Sequence, residues 1–233
     1  MNIKNLIAGI GLLLFFNSNY AQEEDFSVKE LTGRSEPKNS KNPYKLRGEV
    51  YEAFEKMRKA ALQENIAIEV VSAFRSYEHQ QRIWNNKFKK FTASGLSDSL
   101  AVKKIIEYST IPGTSRHHWG TDIDIVQKNN VKVKGKLLST NFHDNGPYIE
   151  LKKWLDINAN KFGFKIIYTN DPNRKGFKYE PWHFTYYPTS KRMLACYIEK
   201  NCFEKIDFKN NLGSSAFSKK ELDFYYENYI KNP

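Results

Sequence analysis

The chain has 233 residues, of which 40% are hydrophobic and 15% aromatic. This composition excludes a disordered or low-complexity protein, and the length favours one globular domain over two. The formal net charge is +11, but the basic residues are scattered and no recognised nucleic-acid-binding motif is present, which argues against a nucleic-acid partner.

The N-terminus predicts an export signal. A lysine precedes an apolar run at residues 6–16, and Ala21 is followed by an acidic cluster, which is the order found in secretory signal peptides. The run is too short to remain as a membrane anchor. We therefore expect residues 1–21 to be removed and the protein to be periplasmic or secreted. There its positive charge either attracts anionic envelope polymers or simply keeps the surface solvated.

Hydrophobic periodicity predicts alternating helices and strands along the rest of the chain. The first half predicts a polar strap or linker at 22–44, a helix at 45–64, a strand at 66–74, a helix at 77–91 with Ser76 as its N-cap, and a helix at 99–108. The second half predicts a polar excursion at 127–145, a helix at 147–162 closed by Gly163, and strands at 164–168 and 177–187, of which the second is broken at Pro181. A capping box at 218–221 predicts the start of a C-terminal helix.

These elements predict a main domain at 45–200 and a C-terminal extension at 201–233 whose aromatic helix packs on that domain. Cys196 and Cys202 lie at the junction. An oxidising compartment permits them to pair, but their spacing favours neither a disulfide nor two thiols.

The segment at 112–126 concentrates groups that bind metals. Two glycines bracket His117 and His118, which predicts a turn, and the alternation after it predicts a strand. Asp122 and Asp124 then share one face of that strand. A histidine on the turn and a carboxylate seven residues later supply two ligands, and a third must come from elsewhere.

His183 is the predicted third ligand, because it is the remaining histidine in aromatic, strand-like surroundings. A set of two histidines and one aspartate leaves a fourth position for water, as in catalytic rather than structural zinc sites.

Two further residues are candidates for the chemistry. Glu180 is a candidate base, although residues three apart on an ideal strand face opposite sides. A bulge at Pro181 would bring Glu180 and His183 into one cavity; otherwise Glu180 is a surface carboxylate on an edge strand. Arg75 follows an apolar strand, where it either receives a carboxylate or developing oxyanion or forms a surface ion pair.

Three segments resemble the signatures of the zinc-dependent D-alanyl-D-alanine carboxypeptidases of VanY type, which are peptidoglycan peptidases that share a fold with the hedgehog signalling domain. The segments are SAFRSYEHQ, SRHHWGTDID and EPWH, at residues 72–80, 115–124 and 180–183. Their order and spacing match the family across residues 45–188. The resemblance implies an α+β fold in which a small antiparallel sheet carries the metal site and helices flank it.

By position, the resemblance implies that His117, Asp124 and His183 bind one zinc ion and that Glu180 is the catalytic base. His118 falls between the motif positions, so we do not expect it to be a ligand.

The resemblance also implies substrate contacts. Arg75 faces the scissile carbonyl or the terminal carboxylate, and Gln80 and Ser115 help to hold the stem peptide. Two residues depart from the usual pattern. Ala73 replaces a glycine, and Asp122 replaces a small residue, where it either orients a ligand or pairs with an arginine.

The implied function is removal of the terminal D-alanine from peptidoglycan stem peptides by a metal-activated water. Alternatives with the same chemistry are an L,D-carboxypeptidase, a D,D-dipeptidase and a peptidoglycan endopeptidase. A different class is a non-catalytic zinc-containing module that binds cell wall or protein, against which the presence of Glu180 counts. We expect the stem peptide as partner, no nucleic acid, no stable membrane insertion after signal removal, and a monomer.

Overall fold

A four-stranded antiparallel sheet lies at the centre of the protein. The computed structural model describes residues 26–129 and 132–233, so the predicted signal peptide lies outside the described residues. The strands are β1 (Ile68–Ser72), β2 (Asp122–Gln127), β3 (Phe164–Ile166) and β4 (His183–Tyr186). They are arranged in the order β1-β2-β4-β3.

Helices surround this sheet, which confirms the predicted α+β class. They are α1 (Val28–Leu31), α2 (Gly48–Gln63), α3 (Tyr77–Ala93), α4 (Asp98–Ile105), α5 (Ile149–Asn158), α6 (Tyr187–Glu199) and α7 (Lys219–Tyr225), the last continued by a π-helical turn at Tyr226–Lys231. Within the two described ranges, no helix is long and apolar enough to cross a membrane.

The two faces of the sheet have different roles. Ile123, Ile125 and Phe184 point to one face, where they pack with buried side chains of α2 and α5. Because side chains alternate along a strand, Asp122 and Asp124 point to the other face. A second apolar cluster lies beyond that face and joins α3, α4, α6 and α7. The polar face of the sheet therefore lies towards this second apolar cluster.

The helix N-termini follow the predicted caps. The Ser76 hydroxyl accepts a hydrogen bond from the His79 amide at the start of α3. Ser218 and Glu221 form the predicted capping box at the start of α7. Both serines satisfy an amide that has no partner within its own helix.

The strand predicted at 177–187 is wrong over most of its length. Only β4 pairs within it, and residues 177–182 form an irregular segment. Pro181 has no amide to give to a ladder, and the His183 amide instead donates to the Glu180 carbonyl at 3.1 Å. Helix α6 begins immediately after β4, with a proline in its first turn, a position where proline is well tolerated.

The C-terminal segment contacts the loop that precedes His117. The Tyr225 hydroxyl accepts a hydrogen bond from the Ile111 amide at 3.0 Å and lies 2.9 Å from the Thr114 hydroxyl. The Tyr197 hydroxyl of α6 donates to the Gly113 carbonyl at 3.0 Å. Two helices distant in sequence therefore fix the backbone of this loop.

Replacing Tyr225 by phenylalanine is expected to lower the free energy of unfolding by about 1–3 kcal/mol, because the buried Ile111 amide loses its acceptor. Urea denaturation measures the change. The control is Tyr226→Phe, since the Tyr226 ring stacks on Phe203 and is partly exposed; its expected change is within about 0.5 kcal/mol. Equal effects in the two variants would contradict the role of the Tyr225 hydroxyl.

Candidate metal centre

The predicted turn around the paired histidines is a 3₁₀ helix at Arg116–Trp119. Gly120 ends it in the left-handed region, at φ 67°, which favours glycine. A Cβ at Gly120 would lie 2.6 Å from the Pro37 side chain, so the N-terminal strap also requires a glycine here. The chain then enters β2 directly, which places His117 beside the start of that strand.

The three predicted ligands meet at one point. Asp124 of β2 lies directly opposite His183 of β4 in the sheet register. Its Oδ1 is 3.1 Å from Nδ1 of His183, and its Oδ2 is 3.2 Å from Nε2 of His117. All three side chains are buried. The carboxylate therefore lies between the two imidazoles.

This donor set fits a zinc ion. One potential ligand atom from each residue lies within 4.8 Å of the others. Bonds of 2.0–2.1 Å in a tetrahedral site would separate neighbouring donors by about 3.4 Å, close to the two distances above. Nitrogen and carboxylate donors are also those that zinc prefers in catalytic sites.

In the metal-free site, two of these groups already have the form that binds a metal, and His183 holds a proton that zinc would displace. Burial lowers the pKa of His117, which keeps that imidazole neutral. Burial alone would raise the pKa of Asp124, but the two histidines beside it hold it well below its ordinary value. Burial alone would lower the pKa of His183, but hydrogen bonds to Asp122 and Asp124 raise it to about 10. Asp124 is thus ionised at neutral pH.

Glu180 reaches the same cavity from the segment before β4. Its Oε2 lies 3.7 Å from Nδ1 of His183, and its amide donates to the Tyr168 carbonyl at 3.0 Å. The predicted convergence of Glu180 and His183 is therefore present, but through a turn that precedes the strand and not through a bulge within it. Burial, with the charge of Asp124, raises the pKa of Glu180 to about 8.

Arg75 lies on the opposite wall and is held by its neighbours. Its Nη1 donates to Gln80 at 2.7 Å and its Nη2 donates to Ser72 at 2.8 Å. Nη2 also lies 3.8 Å from Oδ2 of Asp124. Gln80 is fully buried, and its amide nitrogen donates to the Thr110 carbonyl at 2.9 Å. The structure thus places Gln80 behind Arg75, and its implied contact with the substrate stays a prediction.

His118 is a part of the site whose role the sequence did not indicate. Its Nδ1 lies 2.6 Å from the Arg75 carbonyl, and its Nε2 accepts from the Gly113 amide at 3.1 Å. Burial lowers its pKa to about 3, so the ring is neutral, with Nδ1 as donor. A Cβ at Gly33 would lie 2.3 Å from this ring. His118 therefore links the loops of Arg75 and Gly113 to the strap. In the sequence, only its position next to His117 indicated that His118 could have a role in the site.

The cavity between these groups is small, about 50 Å³. Ser115 lies in its wall, and its predicted contact with the substrate stays a prediction. The remaining wall is formed by the groups described above and by side chains of the flanking loops, namely Tyr108, Ser109, Thr110, Arg116, Tyr168 and Phe177.

Comparison with known proteins identifies the family. The model of the D-alanyl-D-alanine carboxypeptidase family VanY matches residues 43–189. The chain belongs to this family. The match confirms the recognition made from the three segments, and it ends just beyond β4, so α7 lies outside it.

Relatives of this VanY-family chain include YodJ of Bacillus subtilis, which is 29% identical over 186 residues, 79% of this chain and 61% of YodJ. A D-alanyl-D-alanine carboxypeptidase of Enterococcus faecalis is 31% identical over 118 residues, 50% of this chain and 39% of that protein. The chain thus spans about three fifths of the first relative and two fifths of the second.

Solved structures of the VanY family are also similar. VanYB in complex with D-alanine-D-alanine has a TM-score of 0.50 and 25% identity, covering 66% of this chain and 78% of that one. A VanY D,D-pentapeptidase variant from a VanB-type resistance cassette, in complex with Zn(II), has the same TM-score and identity and covers 69% and 82%. The prediction of zinc as the cofactor is confirmed by this second structure together with the donor set of His117, Asp124 and His183.

The raised pKa of Glu180 predicts a pH-dependent stability difference in the zinc-free protein. A carboxyl group whose pKa rises from 4.5 to about 8 on folding stabilises the fold fully below its unfolded value, and this contribution is lost as pH rises towards 8. Glu180→Gln does not titrate. Between pH 5 and pH 9 the variant should therefore gain stability relative to the natural protein, by at most about 4 kcal/mol.

Urea denaturation in the presence of a chelator measures this difference. The difference reports the titration of Glu180 together with its effect on the neighbouring His183 and Asp124, whereas the titrations of distant groups cancel because both proteins contain them. A difference in unfolding free energy that stays constant across this pH range would contradict a raised pKa for Glu180.

Proposed function

We propose that this protein is a zinc D,D-carboxypeptidase that removes the terminal D-alanine from peptidoglycan stem peptides. The observation that carries the proposal is the meeting of the buried side chains His117, Asp124 and His183 beside Glu180 in one small cavity. A site that served only to hold the fold together would not require an additional buried acid at the same cavity.

His117 and His183 would bind the zinc through Nε2 and Nδ1, the nitrogens that face Asp124. Bound zinc supplies Lewis acidity, which polarises a carbonyl and lowers the pKa of water. Glu180 accepts a proton from the attacking water and returns it to the leaving amine. A carboxylate beside the metal can accept a proton in one step and release it in the next.

Arg75 is proposed to bind the anionic end of the substrate or the oxyanion that develops at the carbonyl. Its guanidinium is positioned in advance by Gln80 and Ser72, which reduces the entropy lost on binding. Ser115 lies in the same wall and would contact the peptide. The small cavity favours a residue as small as D-alanine at the cleaved end.

The location and partners belong to the same proposal. We propose that the chain is exported by a signal peptide at residues 1–21 and acts as a monomer on stem peptides in the periplasm or medium. Without Lys4 of the signal peptide the formal net charge is +10, one less than the +11 of the whole chain, and it would favour encounter with anionic envelope polymers. A D-alanine-D-alanine ligand in a related structure supports a substrate of this class.

The test is incubation of the zinc-loaded protein with a pentapeptide stem, a tetrapeptide stem and a cross-linked dimer, followed by mass spectrometry. We expect the pentapeptide to lose one alanine while the other two substrates persist. Loss of alanine from the tetrapeptide would indicate an L,D-carboxypeptidase, release of a dipeptide a D,D-dipeptidase, and cleavage of the dimer an endopeptidase. No product from any substrate, with binding retained, would favour the non-catalytic module.

A further inference from the structure

The two nitrogens of His183 have different partners. Nδ1 faces the cavity, at 3.1 Å from Asp124 and 3.7 Å from Glu180. Nε2 faces away from the cavity and lies 2.8 Å from Oδ2 of Asp122. A carboxylate accepts hydrogen bonds only, so in the metal-free site each of these contacts requires a proton on its nitrogen. A metal in the cavity would displace the proton from Nδ1, beside Asp124, whereas Asp122, which does not line the cavity, would retain the proton on Nε2.

The carboxylate of Asp122 accepts hydrogen bonds on both of its oxygens. Besides His183, its Oδ2 accepts from Nε of Arg116 at 2.9 Å, and its Oδ1 accepts from the hydroxyls of Thr121 at 2.7 Å and Thr185 at 2.6 Å. The residue is fully buried. Four donors converge on one carboxylate, which leaves it no alternative rotamer without breaking hydrogen bonds.

Arg116 and Thr185 hold this carboxylate as a unit. Nη2 of Arg116 donates to the Thr185 hydroxyl at 2.8 Å, and that hydroxyl donates onward to Asp122. Thr185 lies opposite Asp122 in the pairing of β2 with β4. The positive charge of Arg116 compensates the buried negative charge, which would be costly if it were unpaired.

His117 is supported differently. Its Nδ1 lies 2.8 Å from the Ala73 carbonyl, a neutral backbone acceptor. A carboxylate behind an imidazole raises the basicity of the metal-binding nitrogen more than a carbonyl does, and it fixes the tautomer and the orientation of the ring. The two histidines are therefore unequal ligands.

We propose that Asp122 is a positioning residue for the metal site. It holds His183 in the tautomer with the proton on Nε2, directs Nδ1 towards Asp124, and thereby strengthens zinc binding. Arg116 and Thr185 keep the Asp122 carboxylate in place. The proposal concerns metal affinity and stands independently of which peptide bond the protein cleaves.

Zinc affinity of Asp122→Asn tests the proposal, measured by competition with a chromophoric chelator on the full-length protein. The amide keeps the shape of the side chain but is a weaker acceptor for His183. We expect the zinc dissociation constant to rise about 10–100-fold, the range typical for loss of a partner behind a metal ligand. No turnover is needed for this readout.

The matched control is Thr189→Val, which removes a buried hydroxyl that donates to Glu49 at 3.2 Å and lies outside the Asp122 network. We expect its zinc dissociation constant to change less than about threefold, since the partner of the ligand remains. Unchanged affinity in Asp122→Asn would overturn the proposal. Equal losses in both variants would also overturn it, because they would indicate a general loosening of the fold.

A measurement on the natural protein keeps the proposal testable if Asp122→Asn fails to fold. In zinc-loaded protein labelled with nitrogen-15 at histidine, we expect the ring proton of His183 on Nε2, in a hydrogen bond that slows its exchange with water. A proton on Nδ1 would mean that Nε2 is the ligand and would overturn the proposal.

Discussion

Replacing Asp124 by alanine is expected to abolish stoichiometric zinc binding and, with it, peptide hydrolysis. Asp124 supplies the one carboxylate of the donor set, and its two oxygens lie 3.1 and 3.2 Å from the two histidines. Its removal leaves two imidazoles, fewer than the three protein ligands of a catalytic zinc site. Metal analysis after gel filtration measures the zinc content, and product formation from a pentapeptide measures activity.

A matched control is Asp156→Ala. Asp156 is half-exposed on α5 and forms an ion pair with Lys152, a kind of contact that contributes little. This variant should retain one zinc per chain and the activity of the natural protein. An Asp124→Ala protein that kept one tightly bound zinc would remove Asp124 from the donor set.

The sequence was sufficient to predict the contribution of β2. Alternation after Gly120 predicted a strand, and period two placed Asp122 and Asp124 on one face, as found. Ile123 and Ile125 alternate with the two aspartates and had to face a core, which directs both carboxylates to the opposite face. The chemistry of the donors then indicated zinc.

The pairing of β2 with β4 was not predictable from local pattern. Asp124 lies opposite His183, 59 residues further along the chain, and nothing between them specifies that register. The aromatic, strand-like surroundings of His183 indicated it as the third ligand, and the structure places it beside Asp124. The arrangement that makes it a neighbour of Asp124 comes from packing of the sheet between α2 and α5 on one face and the second core on the other.

The hydrogen bonds and the ion pair that hold the loops around the site were also not predictable from the sequence. His118 bonds to the backbones of Arg75 and Gly113, and Arg47 donates to the Trp119 carbonyl at 3.1 Å and forms a buried ion pair with Glu30 of the strap. Each contact joins segments that are separate in sequence or uses a backbone group. Residue type alone does not indicate such partners.

Glu180 lies beside His183 as predicted, although the segment that carries it is not the predicted strand. The aromatic run suggested a strand, on which residues three apart diverge. Pro181 instead ends the irregular segment in a turn, and the turn directs Glu180 and His183 to the same cavity. The physical reason is the missing amide of proline, which was visible in the sequence, but its consequence depended on where β4 begins.

Replacing Glu180 by glutamine is expected to lower kcat by about 10²–10⁴-fold, the usual contribution of a general base, while zinc remains bound. Glutamine fills the same volume but neither accepts a proton from water nor returns one to the leaving amine. Because Glu180 is not one of the three donors, metal content should stay at one zinc per chain. Steady-state hydrolysis of the pentapeptide and metal analysis of the same sample measure both quantities.

Glu150→Gln is the matched control, since Glu150 is exposed on α5 and its substitution should leave kcat unchanged. The combination of retained zinc and lost turnover distinguishes a missing base from a missing metal, which Asp124→Ala produces. It also separates Glu180 from Asp122, whose substitution should weaken zinc binding first. If Glu180→Gln turned over at the natural rate with zinc bound, the proton would have to travel through another group, and Glu180 would lose its proposed role.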